Sequence, residues 1–198
     1  QMAEHPDGST PDQTERWADL KAAYRVIDRE EVTFTAVATP HWELTRRRAQ
    51  GVVLVIGDTT ELDFGFSRQA CGLGPVGNGF GRGFLLHNAL VVDAATSEII
   101  GLAGQEVLSR RPKPKRENTY QRTQRKGKES EVWTRLIERI GPPADGVTYV
   151  HVFDRGADSL DVFCQLRAQR GEWVIRASHL QRVADEITTD GRAPRSAP

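Results

Sequence analysis

Two apolar runs in this chain lead into an aspartate. Val52-Val53-Leu54-Val55-Ile56 passes through Gly57 into Asp58-Thr59-Thr60, and Val147-Thr148-Tyr149-Val150-His151-Val152-Phe153 ends on Asp154. Asp58 alone has two readings. Asp and Thr side chains bond to nearby backbone groups and so close strands. Alternatively, the strand aims a carboxylate at the edge of an open α/β sheet, where ligands and catalytic groups sit. The second aspartate bears on the choice, because adjacent parallel strands would bring both carboxylates out at one edge. Two ionised carboxylates a few ångströms apart repel, and one takes up a proton unless a cation lies between them. Mg²⁺ suits such a pair, since it accepts one or two carboxylates and completes its shell with water and phosphate oxygens. Two such ions stabilise both sides of an in-line phosphoryl displacement. The expected site is therefore Asp58 and Asp154, as catalytic carboxylates and as ligands of Mg²⁺ or Mn²⁺, with two ions when complete.

The 198 residues are enough for one well-buried domain, or one domain with an appendage. Lys plus Arg and Asp plus Glu are 27 each, so overall charge does not point to a nucleic-acid or membrane partner, and local clustering must. Cys71 and Cys164 are far apart and form no zinc-ligand spacing. No apolar run approaches the ~20 residues of a membrane span, and no charged-then-apolar leader opens the chain. A cytoplasmic protein is expected.

Around the aspartates the elements alternate. Trp17, Leu20, Tyr24 and Ile27 fall at helical steps within 14–29, and a weaker helix over 31–48 is interrupted by Pro40. A strand over 52–57 precedes the glycine-rich 71–83. Strands over 84–92 and 99–110, joined by a short polar turn, form a hairpin. Ser130 can cap a helix carrying Val132, Trp133, Leu136, Ile137 and Ile140 on one face, ended by Gly141-Pro142. A strand over 147–154, a helix over 157–170 with Leu160, Phe163, Cys164 and Leu166, and a strand from Glu172 follow. The pattern β-β-β-α-β-α-β implies an α/β fold with a mixed sheet flanked by helices. Between hairpin and helix, 110–128 holds nine Lys or Arg and only one acidic residue, Glu117, over a length that is either functional or disordered.

Taken in order, Asp58-Thr59-Thr60, LGPVGNGFGRGFLLHNALVVD, KES before a Trp-bearing helix, VHVFDRGAD and WVIRASH resemble the insertion-sequence-four family of bacterial DDE transposases. The resemblance extends from about Trp17 to His179, and its most specific piece is Asp154-Arg155-x-x-Asp158. It implies a ribonuclease-H-like core over 51–180. It also implies that 14–50 is a helical remnant of an N-terminal DNA-binding region. The chain would open on a disordered lead-in, 1–13, and end, over 181–198, in the start of an inserted subdomain or a disordered tail. Asp58 and Asp154 match the first two catalytic aspartates, and Arg176 a basic position near DNA. The activity implied is Mg²⁺-dependent hydrolysis of a phosphodiester at the element's ends, then joining of the freed 3′-hydroxyl to target double-stranded DNA, usually by a homodimer. The family's third carboxylate, a glutamate in a Tyr-Arg-Glu-Lys arrangement, has no counterpart. No tyrosine follows Tyr149, and Glu186 lacks the required neighbours. A chain truncated before that glutamate is the expectation, inactive alone. The rivals are a non-catalytic DNA-binding remnant of this fold, and a ribonuclease-H-like nuclease with a different third carboxylate.

Other features have simpler readings. Gly72-Leu73-Gly74-Pro75-Val76-Gly77 matches a dinucleotide fingerprint but leads into a strand, so no nucleotide cofactor is expected. His87 and His151 read as packed strand histidines, and Trp17, Trp133 and Trp173 as core residues, with Trp42 unplaced. Asp158 reads as a helix cap and Asp161 as a first-turn carboxylate. The expected DNA contacts are Arg110, Arg111, Lys113, Lys115, Arg116, Arg122, Arg125, Lys126 and Lys128, with Arg155 and Arg176. Such contacts make binding sequence-tolerant, and each adds roughly 0.9 to the salt slope of log affinity. Changing Lys113, Lys115, Arg116, Arg125 and Lys126 to Glu should flatten that slope in a fluorescence-anisotropy titration; an unchanged slope would mean the segment is merely solvated.

Overall fold

The computed structural model describes residues 4–5, 7–65, 71–110 and 131–178. Its centre is a six-stranded mixed sheet organised on β1 (Gly51–Asp63). On one side β1 pairs antiparallel with β3 (Gly81–Asp93), which in turn pairs antiparallel with the short β2 (Gly74–Val76) and with β4 (Ile99–Leu108). On the other side it pairs parallel with β5 (Val147–Phe153), and β5 parallel with β6 (Glu172–Ile175). The flanking helices among the described residues are α1 (Trp17–Ile27), α2 (Phe34–Arg48), α3 (Glu131–Ile140) and α4 (Leu160–Ala168). The fold is α/β. No described helix is long and apolar enough to cross a membrane.

Strand alternation sorts the sheet into two faces. Val53, Val55 and Gly57 of β1, with Leu85, His87, Ala89 and Val91 of β3 and Tyr149, His151 and Phe153 of β5, are buried on one face. α3 lies over it with the expected stripe of Val132, Trp133, Leu136, Ile137 and Ile140, all buried, and α4 adds Val162 and Leu166. The opposite face carries Leu54, Ile56, Leu86, Leu90, Val150 and Val152, all only half-buried.

The expected hairpin, the parallel return of β5 beside β1 and the two late helices all form. Asp58, however, does not close its strand. β1 continues to Asp63, paired with β3 throughout, whereas its pairing with β5 stops at Ile56 with Val152. The apolar run ends at Ile56 because beyond it β1 has a neighbour on one side only. The 3₁₀ turn Arg155–Ala157 delays the helix expected from 157, and Ser159, not Asp158, caps α4 by accepting from the Val162 N–H at 3.3 Å. Leu160 is 73% exposed, because the buried stripe of α4 runs through Val162 and Leu166 instead. The described part of the polar lead-in forms turns, with Gln13 N–H on Ser9 C=O and Thr14 N–H on Pro11 C=O. The cap expected at Ser130 lies outside the described residues.

The tryptophans depart most from expectation. Trp17 is 71% and Trp173 40% exposed, and of α1 only Leu20 is buried. Helical spacing marked a stripe on α1, but Trp17, Tyr24 and Ile27 of that stripe are exposed among the described residues. Trp42 is the buried one, at 2%. It holds α2 against β4, a strand whose outer edge would otherwise present bare backbone groups. There the Leu102 N–H donates to His41 Nε2 at 3.2 Å, and Arg46 Nη1 donates to the Ala103 carbonyl at 2.8 Å. The Arg139 guanidinium lies 5.3 Å from the Trp42 ring centroid, so the indole also touches α3. Trp42→Ala should cost about 3–5 kcal/mol and Trp17→Ala no more than about 0.5 kcal/mol. Urea unfolding of both variants checks this, and similar losses would contradict the packing described.

Candidate functional site

β4 is antiparallel to β3 and β3 to β1, so β1, β4, β5 and β6 all run in one direction. Their carboxyl ends make one rim of the sheet. Of the charged residues singled out from the sequence, Asp58, Asp154, Arg110, Arg155 and Arg176 are described and lie at or next to it. Ile56 and Val152 are the last residues that β1 and β5 pair with each other, and Asp58 and Asp154 each follow by two positions. Arg110 follows β4 by two residues, and its Nη1 donates to Glu61 Oε1 at 2.7 Å. Glu61 Oε2 in turn accepts the Gly77 N–H at 3.0 Å, tying the tail of β1 to the β2–β3 connection. Arg176 follows β6, its backbone N–H on the Phe153 carbonyl at 3.1 Å, directly beside Asp154 in the chain. Arg155 is exposed in the 3₁₀ turn. Arg111, Lys113, Lys115, Arg116, Arg122, Arg125, Lys126, Lys128 and Glu186 lie outside the described residues.

The two aspartates are held differently. Asp58 is exposed and alternates onto the half-buried face with Leu54 and Ile56, its Oδ1 accepting the Thr59 N–H at 2.8 Å. Asp154 caps the 3₁₀ turn, accepting the Gly156 N–H at 2.8 Å. It also lines a cleft of about 300 Å³ with Thr59, Leu85, His87, Leu108, Val132, Trp133 and Gly156. Asp158 anchors the chain after β6, accepting from Ser178 N–H at 2.7 Å and Ser178 Oγ at 2.8 Å. The Asp154-Arg155-x-x-Asp158 motif thus shapes the rim through both carboxylates.

Trp133 is the wall behind the aspartates. A Cβ on Gly57 would stand 2.5 Å from the Phe153 ring and 3.0 Å from Trp133, and one on Gly156 would stand 3.4 Å from the indole. Glycine at 57 is what admits the Phe153 and Trp133 rings, while at Gly156 a Cβ would first meet Asp154 Oδ1, at 2.9 Å; this part of the site was missed in the sequence reading. The pattern Gly-Asp and Asp-x-Gly carried the signal, but the partner that fills the space is remote in the chain. His87 was expected only as packing. It is fully buried, shares a hydrogen bond of 2.6 Å between its Nδ1 and Thr59 Oγ1, and stacks edge-to-face on Trp133 with centroids 4.0 Å apart. Burial lowers its pKa to about 4, although Asp58, Asp154 and Glu106 pull the other way. It is neutral at pH 7.

A pair of hard carboxylate oxygens at one rim suits Mg²⁺, whose remaining positions water and phosphate oxygens can fill. Among the described residues, no three His, Cys, Asp or Glu side chains form a group able to hold a metal ion. Cys71 and Cys164 are free and exposed. No protein-family model matches the chain, and neither does any curated protein.

His151, on β5 just before this rim, is buried against Tyr149 and Phe153, and burial lowers its pKa to about 4. Its unfolded value, about 6.5, is higher, so on acidification the unfolded chain binds a proton that the fold refuses. Its contribution is therefore complete above pH ~6.5 and is lost as the pH falls toward 4, roughly 2 kcal/mol between pH 7 and pH 4.5. Urea midpoints at those two pH values should converge in His151→Asn relative to the wild type. An equal pH dependence in both proteins would contradict a neutral buried imidazole.

Proposed function

We propose that this chain carries the first two carboxylates of a ribonuclease-H-like DDE transposase of the insertion-sequence-four type, acting on DNA phosphodiesters. One observation carries the reading. The β1–β5 register sets Asp58 and Asp154 equally far, two residues, past the last pair that these adjacent parallel strands make with each other, Ile56 with Val152. Three antiparallel strands joined through β1 to two parallel β-α units are compatible with that core. The exit of the basic segment at Arg110, and Arg155 and Arg176 on the same rim, add positive charge where a phosphate backbone would lie.

Asp58 and Asp154 would hold Mg²⁺ or Mn²⁺, two ions in a complete site, supplying Lewis acidity and an activated water when bound. The protein's own part is positioning and charge. The Thr59 N–H fixes one carboxylate and the Gly156 N–H the other, the arginines orient the phosphodiester, and Trp133 walls the cleft that Asp154 lines. The reaction class is hydrolysis at an element end, then joining of the 3′-hydroxyl to target DNA, on a homodimer. Neither step needs a nucleotide cofactor. The described residues offer no third carboxylate beside the pair, and this favours one second reading, a non-catalytic DNA-binding protein of the same fold.

Mn²⁺ titration followed by electron paramagnetic resonance distinguishes the two. The wild type should bind the ion weakly, and Asp58→Ala and Asp154→Ala should each lose most of that binding. The purified chain should neither nick nor join plasmid DNA, because catalytic groups acting as a unit fail together. Equal Mn²⁺ binding by all three proteins would sink the metal reading. Metal-dependent nicking abolished by Asp58→Ala would show that a further carboxylate completes the site.

A further inference from the structure

A row of polar side chains crosses the otherwise apolar half-buried face. Asp58 of β1 stands opposite Asn88 of β3, and Asn88 opposite Gln105 of β4. Residues in register share a face, with Cβ atoms about 4.5–5.5 Å apart. The row is tied at its far end to the buried indole of α2. Trp42 Nε1 donates to Gln105 Oε1 at 3.3 Å, and Gln105 Nε2 donates to Asn88 Oδ1 at 2.6 Å.

The indole N–H is a donor only, whereas each carboxamide has a donating and an accepting end. Trp42 therefore fixes the sense of the whole row. Gln105 must turn its oxygen to Trp42 and its nitrogen to Asn88. Asn88 must then turn its oxygen to Gln105, which leaves its Nδ2 as the donor at the end of the row. That nitrogen has one long contact, 3.5 Å, to the Leu86 carbonyl. Asp58 uses Oδ1 for the Thr59 N–H.

We infer that Trp42, Gln105 and Asn88 form a polarised amide relay whose last N–H, on Asn88, is presented to the Asp58 carboxylate and holds it in position when that carboxylate binds a divalent cation. Asn88 is a positioning residue, and Gln105 and Trp42 act through it. The inference rests on the metal-binding reading of Asp58. It goes further by giving α2, which touches neither aspartate, a part in the site. A donor on a ligating carboxylate fixes its orientation toward the ion.

The test uses the full chain, with Mn²⁺ affinity as one readout and the side-chain amide resonances of Asn88 during Mg²⁺ titration as the other. Asn88→Leu removes the final donor, while Gln105→Met keeps bulk and Trp42→Phe keeps an aromatic ring, each removing a link that orients it. Asn88→Leu should weaken Mn²⁺ binding about tenfold, and Gln105→Met and Trp42→Phe should weaken it by a smaller factor in the same direction. The Asn88 amide signals should shift with Mg²⁺ in the wild type and remain still in Asp58→Ala. Folded Gln105→Met and Trp42→Phe proteins that bind Mn²⁺ as the wild type does would overturn the relay. So would a loss confined to Asn88→Leu, or Asn88 signals indifferent to Mg²⁺ in a wild type that binds it. A wild type that binds no Mn²⁺, or no better than Asp58→Ala, would instead remove the metal reading itself, and the relay with it.

Discussion

Everything at the rim depends on the parallel pairing of Gly51–Ile56 with Val147–Val152. It is the only strand-to-strand seam, among the described residues, between the antiparallel strands and the parallel pair β5 and β6. Because side chains alternate with a period of two, a slip of one residue there would send Phe153 and His151 to the opposite face and separate the aspartates. The seam is held by burial on the covered face, where Val53, Val55, Tyr149 and His151 are almost wholly excluded from solvent. α3 lies across it, so the helix and the register specify one another.

Trp133 links that core to the rim. The indole packs on His87 and Phe153 and occupies the space that the missing side chains of Gly57 and Gly156 leave. A Cβ on Gly57 would collide with this packing, so the aromatic pair constrains β1 one residue before Asp58. The neutral His87 joins this packing and brings the Thr59 hydroxyl with it, which stiffens the residue next to Asp58.

Much of this was legible in the residues. Continuous apolar runs marked β1 and β5 as strands with neighbours on both sides, and the spacing of Val132, Trp133, Leu136, Ile137 and Ile140 gave the face of α3. The end of β1 was not legible, because Thr59 to Asp63 alternates weakly and is held in the sheet by β3 alone. Nor was the partition of the tryptophans. Local periodicity put Trp17 on a stripe, but burial depends on what arrives from elsewhere, and it was Trp42, beside a helix-disfavouring proline, that β4 covered. A shared edge for Asp58 and Asp154 was expected from the two apolar runs, but the place of Arg110 and Arg176 on the same rim followed only from strand directions. Asn88 and Gln105 carried no signal at all until register set them in line with Asp58.

α2 has a further consequence through its grip on β4. His41 and Arg46 satisfy an N–H and a carbonyl that a neighbouring strand would otherwise take. The helix thus serves as a surrogate strand over the middle of β4, occupying groups that an added strand would need to pair with. Helix and strand must also open together, which makes α2 part of the sheet's cooperative folding unit rather than a separable arm.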